Sequence, residues 1–158
     1  MQTKSIDTPL AEITLRRYEK PYNLSKRELV RKLCLSLGLL NPGDSRDIIV
    51  DVLYVLLEAG KESKKLSSDE IRQEVLELRN SEKLDESGSA ASNIRRQVRR
   101  LREAQLVEKI KNDYRMTEFA GIETIFNDKI EKFMLPSITE RIKEYLKTVD
   151  ASFKNDKF

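Results

Sequence analysis

The 158-residue chain contains no histidine and no tryptophan, one cysteine, five glycines and four prolines. Without histidine there is no imidazole to act as general acid, general base or metal ligand. The single thiol, Cys34, cannot form an internal disulfide or a zinc site of ordinary type, and its apolar surroundings read as packing. No glycine-rich phosphate loop occurs, because Gly60-Lys61 has the wrong spacing. Acidic pairs such as Asp69-Glu70 fall at a helix start, where the helix dipole explains them without catalysis. These absences argue against an enzyme and lead us to expect neither metal nor cofactor. Long apolar runs are missing too: Ile48–Leu57 is interrupted by Asp51 and is too short to span a bilayer. Met1–Leu10 has no signal-peptide core. The expectation is a soluble, cytoplasmic protein with no membrane partner.

What the chain has in quantity is charge, 36% of its residues, with few helix breakers. The net charge of +3 conceals an uneven distribution. Residues 87–116 hold eight basic residues against three acidic ones, whereas residues 61–86 hold six against eight. A positive field concentrated in one segment is what a surface meeting a polyanion requires. Its densest part is Ser92-Asn93-Ile94-Arg95-Arg96-Gln97-Val98-Arg99-Arg100-Leu101-Arg102. On a helix, Ile94, Val98 and Leu101 form one apolar stripe, and Ser92, Arg95, Arg96 and Arg99 gather opposite it, flanked by Arg100 and Arg102. Arg is suited to bidentate contact with phosphate and with guanine edges. Taken alone, such a run reads more readily as a solvated basic face than as a binding surface.

Its neighbours give it a context. Ala11–Arg17 alternates as a short strand would. Ser25 and Glu28 form a capping box for a helix to about Leu37, which Gly38 ends. Asp44 is placed to cap a second helix, running to about Ala59, whose apolar residues face nearly every direction and belong at the centre of the fold. Ser67 with Glu70, and Leu66 with Ile71, supply the capping box and hydrophobic staple of a third. After the polar stretch Asn80–Gly88 comes the Arg-rich helix, from about Ser89 to Ala104. Leu106–Ile110 and Tyr114–Met116 then read as strands around the Lys111-Asn112-Asp113 turn. Thr117 is positioned to cap a helix that Pro136 breaks, and Ser137 with Glu140 opens a last one. Residues 151–158 are expected to fray.

The run from Ile94 to Lys109, followed by Tyr114-Arg115-Met116-Thr117-Glu118, resembles the winged helix-turn-helix transcriptional regulators of archaea and bacteria. The resemblance covers about half the chain. It implies a mainly α fold, with a three-helix core and β-hairpin wing over residues 44–117, an N-terminal extension over 1–43 carrying one helix, two C-terminal helices over 118–150, and a frayed tail over 151–158. Two departures stand out. The segment before the Arg-rich helix is longer than in a tight helix-turn-helix, and Gln105 stands where many relatives have Gly. The implied function is sequence-specific binding of double-stranded DNA. Ser92, Asn93, Arg95, Arg96, Arg99 and Arg100 would form the reading surface in the major groove, and Lys109, Lys111 and Arg115 on the wing would meet the backbone. Helices appended after the wing often form the dimer interface, as in the phenolic-acid-type and multiple-antibiotic-resistance-type regulators. A homodimer is therefore expected, the alternative being that these helices fold back on 48–57. Two other functions remain open at this point, a protein-binding scaffold and non-specific nucleic-acid or chromatin binding.

Overall fold

The computed structural model describes residues 6–154. The fold is mainly helical with a small three-stranded antiparallel sheet. Helix α1 spans Lys26–Ser36 and α2 Ile48–Lys61; strand β1 is Leu66–Ser67; α3 spans Ser68–Ser81 and α4 Ala91–Glu103. Strands β2, Val107–Ile110, and β3, Asp113–Met116, follow. A 3-10 turn, Thr117–Phe119, leads to α5, Ile122–Ile125; a π-helical run, Phe126–Met134, precedes α6, Leu135–Lys154. Thr14–Ile125 make one compact unit, and the described residues of Met1–Ile13 and Phe126–Phe158 make the other. Among the described residues no helix is long and apolar enough to cross a membrane.

In the first unit α2 is the centre, as its all-round apolar pattern predicts: nine of its fourteen residues are buried. Val30, Cys34 and Leu35 of α1, Ile71 and Val75 of α3, and Ile94, Val98 and Leu101 of α4 complete the core. Leu66, Leu106, Val107 and Met116 bring the strands into it. Burial pushes the Cys34 thiol up to about 12, so it stays protonated as a packing group. The sheet order is β1-β3-β2, all antiparallel, with Leu66 opposite Tyr114 and Ile110 opposite Asp113. The helix expected within the 1–43 extension is α1, and it lies inside this compact unit.

Helix starts follow local chemistry in two places. Ser67 and Glu70 close a reciprocal capping box on α3, and Ser25 accepts from the Glu28 amide at α1. At α2 the expectation fails: Asp47, not Asp44, is the N-cap, and its side chain makes no capping bond. Its carboxylate is drawn instead into ion pairs with Arg27, Arg31 and Arg79.

The helix ends share one device. After α1, α2, α3 and α4 the chain turns left-handed at Gly38 (φ 72°), Ser63 (53°), Lys83 (57°) and Gln105 (70°). The next amide then reaches back to the last turn: Leu39 to Cys34, Lys64 to Ala59, Leu84 to Arg79 and Leu106 to Leu101. These are Schellman closures, and three of them use a residue with a Cβ. Gly38 has a further constraint, because a Cβ there would lie 2.6 Å from Thr14 Cβ. Gln105 thus adopts the backbone that Gly would adopt, at a steric cost of roughly 1 kcal/mol. Gln105→Gly is accordingly expected to stabilise the protein by up to about 1 kcal/mol, read from urea unfolding.

Several sequence expectations are corrected. Residues 11–17 form no strand. Arg16 instead pins this segment to the end of α1: its amide donates to Ser36 and its guanidinium to the carbonyls of Leu35 and Leu40. Thr117 caps no helix; its hydroxyl donates to Gln105 O and its amide to Leu106 O, closing the sheet edge. Pro136 does not separate two helices. The π-helical run passes directly into α6, and the wider π turn accommodates a ring that would strike the carbonyl four residues back in α geometry. Ser137 opens no helix either, since its hydroxyl bonds back to Met134 O. Helix α6 continues to Lys154, through residues expected to fray; residues 155–158 of that tail lie outside the described residues.

Candidate nucleic-acid interface

The Arg-rich segment is helical from Ala91, and its stripe Ile94, Val98 and Leu101 is buried, each residue contributing roughly 1.5–3 kcal/mol. Burying that stripe necessarily turns Ser92, Arg95, Arg96, Arg99 and Arg102 to solvent, and all five are exposed. The guanidinium groups of the four arginines make no hydrogen bond or ion pair with any described residue. No carboxylate pairs with them, in contrast to Arg27, Arg31, Arg79 and Arg115 of the same unit.

The long segment before α4 is fastened at several points. Arg72 Nε donates to Ser89 O at 2.7 Å, Arg79 Nε donates to Asp85 O, and the Asp85 carboxylate accepts from the Ser87 amide at 3.0 Å. That last bond, with its Ser87 partner, holds the Asp85 carboxyl below its ordinary value. The tight three-residue turn is replaced by side-chain ties from α3, so α4 is held in a set direction.

Two residues expected on the reading surface are engaged internally. Asn93 and Arg100 are half-buried. Arg100 donates through Nη2 to Leu39 O at 2.6 Å and through Nη1 to Gln97 Oε1 at 3.0 Å. Gln97 Nε2 donates to Asn93 Oδ1 at 3.0 Å, and Asn93 Nδ2 donates to Gly88 O at 2.7 Å. The direction of this relay is set by its ends, because a guanidinium only donates and a carbonyl only accepts. No sequence periodicity signals it: Leu39 is 61 residues from Arg100.

On the hairpin, Lys109 and Lys111 are exposed, and Lys109 Nζ lies 5.9 Å from the Tyr114 ring centre. Arg115 is half-buried and paired with Glu108 at 2.6 Å, while its guanidinium lies over Phe119. Its charge is already met by a carboxylate. The structure therefore brings together Ser92, Arg95, Arg96 and Arg99 on one exposed face, and adds Arg102, which with Arg99 and Lys109 lines a groove between α4 and β2 that also holds the carboxylates of Glu103 and Glu108.

A second charged cluster went unrecognised in the sequence. Asp51, with no exposed surface, accepts from Arg27 Nε at 2.9 Å and Nη2 at 3.0 Å and from Arg79 Nη1 at 2.6 Å. Asp47 joins through Arg27 Nη2 at 3.2 Å and Arg79 Nη1 at 3.3 Å. Burial opposes the Arg27 charge, but the hydrogen bond and charge of Asp51, aided by Asp47, outweigh it and raise its pKa. The signal available was Asp51 itself, an ionised group inside an otherwise buried helix, which must find partners. Among the described residues no three thiol, imidazole or carboxylate groups converge as a metal site would need. Comparison with protein-family models, with curated proteins and with solved structures found no match to this chain.

Proposed function

We propose that residues 44–117 are a winged-helix domain and that the protein is a sequence-specific double-stranded DNA-binding regulator without catalytic activity. The observation that carries this reading is the exposed, unpaired guanidinium face of α4, Arg95, Arg96, Arg99 and Arg102, backed by a fully buried stripe. The order helix, short strand, helix, helix and hairpin, with sheet order β1-β3-β2, supports the winged arrangement. In it α4 enters the major groove, while Lys109 and Lys111 lie along the backbone. A protein-binding scaffold has no use for that density of unpaired positive charge. The test is binding to specific and random duplexes across a salt series. Affinity should fall linearly on logarithmic axes, with a slope of about −0.9 for each phosphate neutralised. No binding at low salt would end the DNA reading, and equal affinity for both duplexes would end the sequence-specific one.

The second unit supports a homodimer. Helix α6 buries none of its residues, and Ile142, Tyr145, Leu146, Val149 and Phe153 are each at least half exposed. With Ile138 they fall at 138, 142, 145 and 146, 149 and 153, recurring every three or four residues as a helix-packing seam does. A second copy of this helix offers the self-complementary surface that a twofold contact requires. Two domains so joined would read half-sites about one turn of DNA apart. Ile142→Asp with Leu146→Asp is expected to convert a dimer to a monomer in analytical ultracentrifugation; an unchanged mass would remove α6 from the interface.

A further inference from the structure

Beside the amino-terminal half of α4 is a cavity of about 310 Å³, within the volume range of small-ligand sites. Its floor is apolar, formed by Leu39, Leu40, Ile48 and Ile49. One wall is the polarised relay Arg100–Gln97–Asn93. Gln97 Oε1 and Asn93 Oδ1 each accept one bond from a neighbour and keep one lone pair, whereas Asn93 and Gln97 each keep one amide N–H and Arg100 keeps three, so donors outnumber acceptors among the spare groups of the relay. Arg46 and Arg96 are exposed at the rim, and Arg100 is bonded to neutral oxygens only, against a single lining carboxylate, Asp44. Spare donors, surplus positive charge and a confined volume coincide here.

We propose that this cavity binds a small oxyanion, a phosphate or phosphate ester, held by the spare N–H groups of Asn93, Gln97 and Arg100 and by the guanidinium of Arg46. Arg96 belongs both to the cavity and to the exposed face of α4. A free anion bound here lies beside a group that the duplex also needs, so its occupancy and DNA binding oppose each other through Arg96, whereas a backbone phosphate seated here would be part of duplex binding. That consequence rests on the DNA reading proposed above; the anion site itself does not. The phosphate has two sources, a free small molecule or the backbone of the duplex.

The test titrates the full-length chain with sodium phosphate against sodium chloride at matched ionic strength, following the side-chain amide resonances of Asn93 and Gln97. Saturable shifts of both with phosphate, absent with chloride, are the expected result. Arg46→Ala, at an exposed position, should leave thermal stability in chloride unchanged and weaken phosphate binding about tenfold, as loss of a charge-assisted contact does. Gln97→Glu keeps an acceptor for Arg100 but turns a carboxylate toward the cavity, and should abolish the shift at Asn93. Shifts that fail to saturate, or that persist unaltered in both variants, overturn the site. The duplex arm separates the sources. If the cavity seats a backbone phosphate, Arg46→Ala weakens duplex binding and lowers the salt slope by about 0.9. If it takes a free anion, duplex binding by Arg46→Ala is unchanged in phosphate-free buffer. Saturable phosphate shifts without any duplex binding would end the DNA reading and leave the cavity standing, whereas duplex binding without phosphate shifts would do the reverse.

Discussion

Asp51→Ala is expected to destabilise the protein by about 3–5 kcal/mol, lowering its melting temperature by roughly 10 °C or more. The size of the effect comes from what remains behind. Arg27 and Arg79 are under a tenth exposed, and without Asp51 each keeps only the longer contact to Asp47 among the two central carboxylates. Two guanidinium charges would then sit in a largely dry site with one shared counter-ion. Arg79 retains the carbonyl of Asp85, and the carboxylate of Asp85 at 3.5 Å is itself exposed and well screened. Asp51→Asn keeps the volume but loses the charge, and should recover only part of the loss. The triple variant Arg27→Met, Asp51→Leu, Arg79→Met removes the three most deeply buried charges together, leaving Asp47 its contact with Arg31, and is expected to recover much of it, because buried ion pairs contribute little beyond an apolar replacement. Chemical denaturation of the four proteins checks the series. A loss below about 1 kcal/mol in Asp51→Ala would show that the cluster is open to water.

The triple variant Arg95→Ala, Arg96→Ala, Arg99→Ala is expected to lose duplex affinity by at least two orders of magnitude, with each side chain worth roughly 1–3 kcal/mol at a base or phosphate. Its stability should change by no more than about 0.5 kcal/mol per site, since the three side chains are exposed and bonded to none of the described residues. Val98→Ala, on the opposite side of the same helix, should behave inversely, losing roughly 2 kcal/mol of stability while folded protein binds duplex normally. Fluorescence anisotropy with a labelled duplex and thermal melts on the same samples separate the two faces. Binding by the triple variant at wild-type affinity would remove α4 from the interface.

How much could be read from the chain alone depended on the range of the interaction involved. The α3 start was legible because Ser67, Glu70, Leu66 and Ile71 meet within one turn. The faces of α4 were legible because helical periodicity alone separates Ile94, Val98 and Leu101 from the arginines. Strand β1 was not, because two residues carry no alternation and Leu66 is paired by Tyr114, far along the chain. The role of Asp51 was hidden for the same reason, its partners being 24 and 28 residues away. Within the candidate interface, the segment showed which residues are basic but not which are occupied. Arg100, Asn93 and Arg115 differ from Arg95, Arg96 and Arg99 only by what other elements place beside them. At Pro136 a correct local rule gave a wrong boundary, because the rule assumes α geometry and the preceding turn is π.

The Arg27–Asp51–Arg79 cluster also governs how the protein can be divided. A fragment beginning at residue 44 would match the outline of the proposed DNA-binding module, yet it would discard Arg27 and keep Asp51. The discarded helix also supplies Cys34 to the core and receives the anchor from Arg16. Excision at that point cuts through a counter-ion pair rather than through a linker. A recombinant module that is to retain its own stability has its natural left edge at Thr14, where the chain first enters the unit, and residues 14–47 travel with the helices they neutralise.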